Sequence, residues 1–235
     1  MPVWSVEGIP GVGKSTVLAR LKDVKAIGGY PVVVLDEPID EWNTVVDANN
    51  FTLFELYYNN PAAHAFAFQM LVLVTRANLL KQALKRHPDA YIFTERCPAS
   101  DRLFAKLLYE NGSITQEQYT IYDKAWKLLN DVPVSGVVYM RADAAFALER
   151  CLSRGREGEQ LSLEYLEKCG QLHETWIQSI PCRCLFLDPS MTTPTAVTSI
   201  VRFVKPQEEV FFILDLVVLL WGMCLFVVGF WLYFY

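Results

Sequence analysis

Gly8-Ile9-Pro10-Gly11-Val12-Gly13-Lys14-Ser15 sets four residues between a first glycine and a glycine, lysine and serine, the spacing of a phosphate-binding P-loop. Its flanks suit the motif, because residues 3–7 read as a short buried strand and a helical stretch runs from Lys14 to about Lys22. Glycines let the backbone curl around an anion so that its N–H groups and the helix N-terminus face the phosphates. Lys14 can then reach the β- and γ-phosphates and the Ser15 hydroxyl can ligate Mg²⁺. Gly8, Gly11, Gly13, Lys14, Ser15 and Thr16 are therefore the expected ATP-binding set, with Ser15 as a metal ligand.

Working outward, residues 31–35 form a β-branched run ending in Asp36-Glu37-Pro38, as in a parallel strand buried on both faces. Residues 91–94 form a similar strand that leads into Glu95-Arg96, and residues 134–140 and 183–187 supply two more. Helical patterns lie near residues 47–58, 62–86, 99–109, 116–129, 144–153, 162–178 and 196–204. Five strands alternating with helices predict an α/β, three-layer fold of the P-loop type, with a five-stranded parallel sheet and helices on both faces. The charged, glycine-containing segment 154–160 has no apolar anchor and is expected to be an arginine-rich lid.

The chain has 235 residues and 52% hydrophobic content, above the ~45–50% usual for soluble domains. Much of the excess sits in residues 216–235, a charge-free run as long as the ~20 residues a bilayer-spanning helix needs. The expected organisation is a nucleotide-binding domain over residues 1–204, a linker at 205–210 and a transmembrane tail at 211–235. Residues 1–5 lack the basic start and apolar stretch of a signal peptide, so the domain is expected on the cytosolic side of its membrane. A net charge of −5 argues against nucleic acid as a partner, which would need a basic stripe. The six cysteines lack zinc-ribbon spacing and disulfide-scaffold density, and read as reduced thiols.

A P-loop implies a nucleotide but not a reaction. Four further clusters, over roughly residues 3–190, resemble the deoxyribonucleoside kinase family, which includes deoxycytidine, deoxyguanosine and mitochondrial thymidine kinases. They are Glu37-Pro38 with Trp42; Tyr58 through Pro61 with Phe68-Gln69 and Arg76; Glu95-Arg96 with Asp101-Arg102; and Arg150, Arg154, Arg156 and Glu159. The resemblance implies Glu37 as the base for the 5′-hydroxyl and Trp42 as a wall of the nucleoside pocket. It implies Tyr58 and Glu159 near the 3′-hydroxyl, Gln69 on the base edge and Phe68 packed on the base. Glu95 would assist Mg²⁺, Arg96 would contact phosphate or the 5′ end of the nucleoside, and the lid arginines would fold over ATP. A homodimer is also implied. Cys97 departs from the family's usual serine.

Phosphorylation of a deoxynucleoside 5′-hydroxyl by ATP is the function expected. Arg76 and Asp101 resemble the pair in members that favour deoxycytidine or purine deoxynucleosides, and a charged couple beside the base narrows the room for a 5-methyl group. Val72 resembles pyrimidine-preferring members, and Ala105 stands where an aromatic often packs on the base, so the preferred nucleoside stays open and thymidine stays within range. A thymidylate-type monophosphate kinase would want extra arginines for the acceptor phosphate. A membrane-anchored ATPase would want a strand-end aspartate and a water-positioning residue, and neither stands out.

Overall fold

A strand that feeds directly into the phosphate loop must sit where both its faces are covered, and β1 (Val3–Glu7) is buried at every position. The computed structural model describes residues 2–155, 159 and 161–205. The expected spanning tail and Arg156 of the expected lid lie outside these residues. Residues up to Ile200 form one compact unit, and the described remainder, from Val201, includes the last turn of the final helix.

Among the described residues six strands form the sheet, in the order β2 (Ala26–Ile27), β3 (Tyr30–Leu35), β4 (Tyr91–Glu95), β1, β5 (Gly136–Met140) and β6 (Arg183–Leu187). The last five are mutually parallel. The sheet is nevertheless mixed, a correction to the purely parallel five strands expected, because the two-residue β2 pairs antiparallel with the start of β3. Gly28 and Gly29, at φ 58° and 86°, make the reversal between them.

Side-chain alternation puts Val3, Ser5 and Glu7 on one face of β1 and Trp4 and Val6 on the other. On the first face, Val3, Leu35 and Ile92 pack with Leu80 and Ala83 of the long helix α4 (defined below), and Val137 and Tyr139 pack with Ile177. Trp4 and Val6 are buried as well, so neither face of the central strand meets water.

The helices are α1 (Lys14–Leu21), α2 (Ile39–Trp42), α3 (Leu53–Asn59), α4 (Pro61–Arg86), α5 (Pro98–Glu110), α6 (Gln116–Leu129), α7 (Ala144–Arg154), α8 (Leu163–Ser179) and α9 (Thr193–Val204). The helix expected from residue 47 begins instead at Leu53. Thr52 caps it, accepting from the Glu55 amide at 3.2 Å while the Glu55 carboxylate accepts from the Thr52 amide at 2.7 Å. Asp47 instead organises a turn, accepting from the amides of Asn49 and Phe51 at 2.9 Å each. α4 begins at Pro61, where a missing N–H has no cost, and ends with Lys85 and Arg86 against the negative end of its dipole. It is long and apolar enough to cross a bilayer, but half of that stretch is buried inside the protein.

β1, β3 and β4 run parallel and end at Glu7, Leu35 and Glu95. The P-loop, Glu37 and Arg96 therefore all emerge at the carboxyl edge of the sheet, where open α/β folds bind ligands.

Candidate active site

Each P-loop glycine has a positive φ: 141° at Gly8, 82° at Gly11 and 106° at Gly13. Gly11 is also sterically compulsory, since a Cβ there would lie 2.2 Å from the Ala147 carbonyl oxygen and 2.7 Å from the Cys151 sulfur. The loop is thus pressed against α7, and the Arg150 guanidinium of that helix lies over Gly13. Lys14 is buried and donates to the Ile9 carbonyl at 3.1 Å, with the Glu95 carboxylate 3.8 Å away. Ser15 Oγ donates to Glu95 Oε2 at 2.8 Å. Burial, and then the like charge of Arg96, bring the Lys14 pKa down to about 8.

The loop opens onto a cavity of about 360 Å³. Every expected site residue within the described set lines it except Gly8, which turns β1 into the loop and backs onto the Met140 carbonyl of β5. Residues from positions 11 to 159 thus converge on one space.

At the centre of the cavity Arg76, from α4, holds three acceptors. Its Nε donates to Asp101 Oδ2 at 3.0 Å, its Nη2 to Glu37 Oε1 at 3.3 Å, and its Nη1 to the Glu95 carbonyl. Arg76 and Asp101 are 3% and 1% exposed, so this is a desolvated pair with a third charge attached. Burial alone would weaken the Arg76 charge, but Asp101 and Glu37 outweigh it and hold the guanidinium more basic than usual. Burial raises the Asp101 pKa to about 6, against the pull of Arg76. Breaking one side of such a pair strands a buried charge, at roughly 3–5 kcal/mol.

An aromatic wall faces the charges. Trp42 Nε1 donates to Thr75 Oγ1 at 2.9 Å, which fixes the indole, and Phe68 meets Trp42 edge-on at 5.6 Å. Phe68 also stacks on Tyr57 at 4.9 Å and an interplanar angle of 14°. The Gln69 amide, 5% exposed, donates to the Asp101 carbonyl at 3.3 Å. Arg154, at the end of α7, pairs with Glu159 and bounds the cavity beside Leu161.

Sequence reasoning missed Tyr57, Phe104 and Tyr165, all of which line the cavity. Ala105 is fully buried against Leu73 and Tyr122, whereas its neighbour Phe104 reaches the cavity and lies 4.4 Å below the Arg96 guanidinium. Cys97 is buried at the start of α5 and does not line the cavity. Arg102 turns away as well, onto the Trp126 ring and Asp123.

A phosphate loop, a strand-end carboxylate and a walled aromatic slot in one cavity are features that known proteins can be asked to match. Residues 4–214 match the family model described as deoxynucleoside kinase. The chain belongs to the deoxynucleoside kinase family. This deoxynucleoside kinase is 33% identical over 196 residues to deoxycytidine kinase 1 of Xenopus laevis, covering 74% of this chain and 72% of the relative. It is 30% identical over 196 residues to deoxycytidine kinase of Homo sapiens (74% of each chain) and 30% identical over 195 residues to the mitochondrial deoxyguanosine kinase of Xenopus laevis (74% and 72%). Among solved structures, a deoxyadenosine kinase from M. mycoides with dCMP and dCDP bound superposes with a TM-score of 0.72 at 24% identity, covering 86% of this chain and 98% of that one. That likeness bears on the fold alone. This deoxynucleoside kinase is accordingly a phosphotransferase that phosphorylates deoxynucleosides.

Proposed function

We propose that the enzyme transfers the γ-phosphoryl group of ATP to the 5′-hydroxyl of deoxycytidine or a purine deoxynucleoside, with Glu37 as the general base. The observation that carries this reading is that Glu37 lines the same cavity as Lys14 and Ser15 of the P-loop. The Glu37 carboxylate takes the hydroxyl proton as the 5′-oxygen bonds to the γ-phosphorus, and the bond to the β-phosphate oxygen breaks to release ADP. Arg76 steadies that carboxylate in its charged form. Lys14, Arg150 and Arg154 stand where charge develops on the phosphoryl oxygens, and Arg156 is assigned to the same task by its resemblance. Trp42, Phe68 and Gln69 hold the base, and Tyr58 and Glu159 are assigned to the sugar 3′-hydroxyl.

Ser15 Oγ and the Glu95 carboxylate, 2.8 Å apart, are hard oxygen donors beside the phosphate loop and fit a magnesium ion. Bound there, the ion would neutralise charge on the β- and γ-phosphates.

The test of the acceptor is to incubate the full chain with radiolabelled ATP and each of the four deoxynucleosides in turn. The specificity constant is expected to be higher for deoxycytidine or a purine deoxynucleoside than for thymidine. Replacing Arg76 by leucine together with Asp101 by alanine is expected to shift preference towards thymidine, read as a ratio of specificity constants because Glu37 also loses its Arg76 partner and overall turnover falls. A wild-type constant highest for thymidine overturns the assignment.

ATP affinity is expected to depend on pH through Lys14. A lysine whose pKa is lowered to about 8 is charged below that pH and neutral above it. ATP favours the charged form, so its apparent Kd rises as pH rises through about 8, by about tenfold per pH unit. A titration that stays flat from about pH 6 to about pH 9.5 contradicts this assignment.

Residues 216–235 support a membrane anchor with the kinase portion on the cytosolic side. Deletion of residues 210–235 is expected to release an active enzyme into the soluble fraction. Full-length protein already extracted by carbonate would dismiss the anchor.

A further inference from the structure

Arg96 occupies a seat built from four separate elements. Its main chain, between β4 and α5, adopts a φ of 64°, a left-handed conformation that a non-glycine residue keeps only when its surroundings hold it. Those surroundings are explicit: the Arg96 amide donates to the Val6 carbonyl at 3.2 Å, and its carbonyl accepts from Thr94 Oγ1 at 2.9 Å. The guanidinium is gripped on three sides. The Phe104 ring lies beneath it at 4.4 Å, Glu7 Oε2 is 3.8 Å from Nη1, and His173 Nε2 is 3.2 Å from the same nitrogen. Glu7 and His173 are fully buried. Glu7 Oε1 accepts from Ser5, while Oε2 accepts no hydrogen bond among the described residues and faces Arg96.

The histidine's role follows from its protons. His173 Nδ1 lies 2.7 Å from the Cys169 carbonyl one helical turn earlier in α8. A carbonyl can only accept, so Nδ1 carries the hydrogen and Nε2 is left with a lone pair. A guanidinium can only donate, and Nε2 is the acceptor it meets. Burial, and then the charge of Arg96, push the His173 pKa down to about 3, so the ring stays neutral and does not repel the guanidinium. Among the described residues the Nε and Nη2 groups of Arg96 have no hydrogen-bond acceptor, and the side chain lines the cavity.

We infer that His173 is a positioning residue for phosphoryl transfer: fixed by the Cys169 carbonyl in its Nδ1–H form, it anchors Nη1 of Arg96 so that the remaining guanidinium donors face the transferring phosphoryl group. The inference rests on the reading of Arg96 as a phosphate-contacting residue. Small misplacements of such a group cost up to about a hundredfold in rate, which gives a buried histidine outside the cavity leverage over turnover.

His173→Phe keeps a ring of similar shape and removes the acceptor. It is expected to lower kcat by about tenfold or more while leaving both KM values within about twofold. His173→Gln, whose amide oxygen can accept from Arg96, is expected to restore most of the loss. In an Arg96→Met background the His173→Phe change is expected to have no further effect on kcat, because the group it positions is gone. Unchanged kcat in His173→Phe, or the same loss in both backgrounds, overturns the inference. Full activity in Arg96→Met removes the reading of Arg96 and this inference with it, whereas loss in Arg96→Met with none in His173→Phe removes the inference alone. Should the phenyl ring fail to fold into place, nitrogen-15 NMR of the wild-type histidine decides. A neutral ring protonated on Nδ1 supports the inference, and one protonated on Nε2 overturns it.

Discussion

Glu37→Gln is expected to lower kcat by about 10²- to 10⁴-fold while leaving the KM for ATP within about twofold. The amide keeps the size of the carboxylate and can still accept from Arg76 Nη2, now 3.3 Å from Glu37 Oε1, so the local packing has little reason to change. What is lost is the ability to take a proton. Arg76 keeps its second anchor, Asp101 at 3.0 Å, so the substitution does not strand the buried guanidinium. The hydrogen bonds that Lys14 and Ser15 make to Ile9 and Glu95 are kept, so ATP binding is expected to be largely spared. Steady-state kinetics with a thermal unfolding control make the measurement. Unchanged turnover in a folded variant eliminates Glu37 as the base.

Lys14→Ala is expected to reduce kcat/KM by about 10²- to 10³-fold, the usual consequence of deleting a preorganised charge aimed at a reacting group. The lysine is only 5% exposed and has no role on the protein surface. Its removal leaves Glu95 still accepting from Ser15 at 2.8 Å, so the loop retains a polar tether to β4. Unlike Glu37→Gln, this variant is expected to weaken ATP binding itself, measurable by titration calorimetry in the absence of nucleoside. Near-normal activity would undermine the P-loop assignment.

The parts of this molecule that could be read from its sequence are those whose chemistry is local. The phosphate loop is contiguous, and its glycines are required by backbone angles and by a 2.2 Å approach of α7. The inner strands β1, β4 and β5 are buried at every position, whereas β3 and β6 are partly exposed, and Glu37 and Arg96 follow directly from where β3 and β4 stop. The errors arise where tertiary context decides. β2 is two residues long and gains strand geometry only from its partner β3. The late start of α3 has a local cause in Thr52-x-x-Glu55, a capping box that fixes the first turn at Leu53. Whether Phe104 or Ala105 faces the cavity depends on the rotation of α5 against α4 and α6, which no spacing rule specifies. Tyr57, Tyr165 and His173 sit at helical positions where buried rings are ordinarily core, and only the cavity and Arg96 distinguish them.

The strand that carries the phosphate loop precedes both of its sheet partners in the chain. β1 pairs on one side with β4 and on the other with β5, so a growing chain holds this strand with no neighbour until Tyr91–Glu95 has followed it. The second edge stays open until Gly136–Met140 arrives. During synthesis the ligand cradle therefore exists as sequence well before it exists as a surface, and an unpaired strand of this kind is a natural target for chaperones and a seed for aggregation.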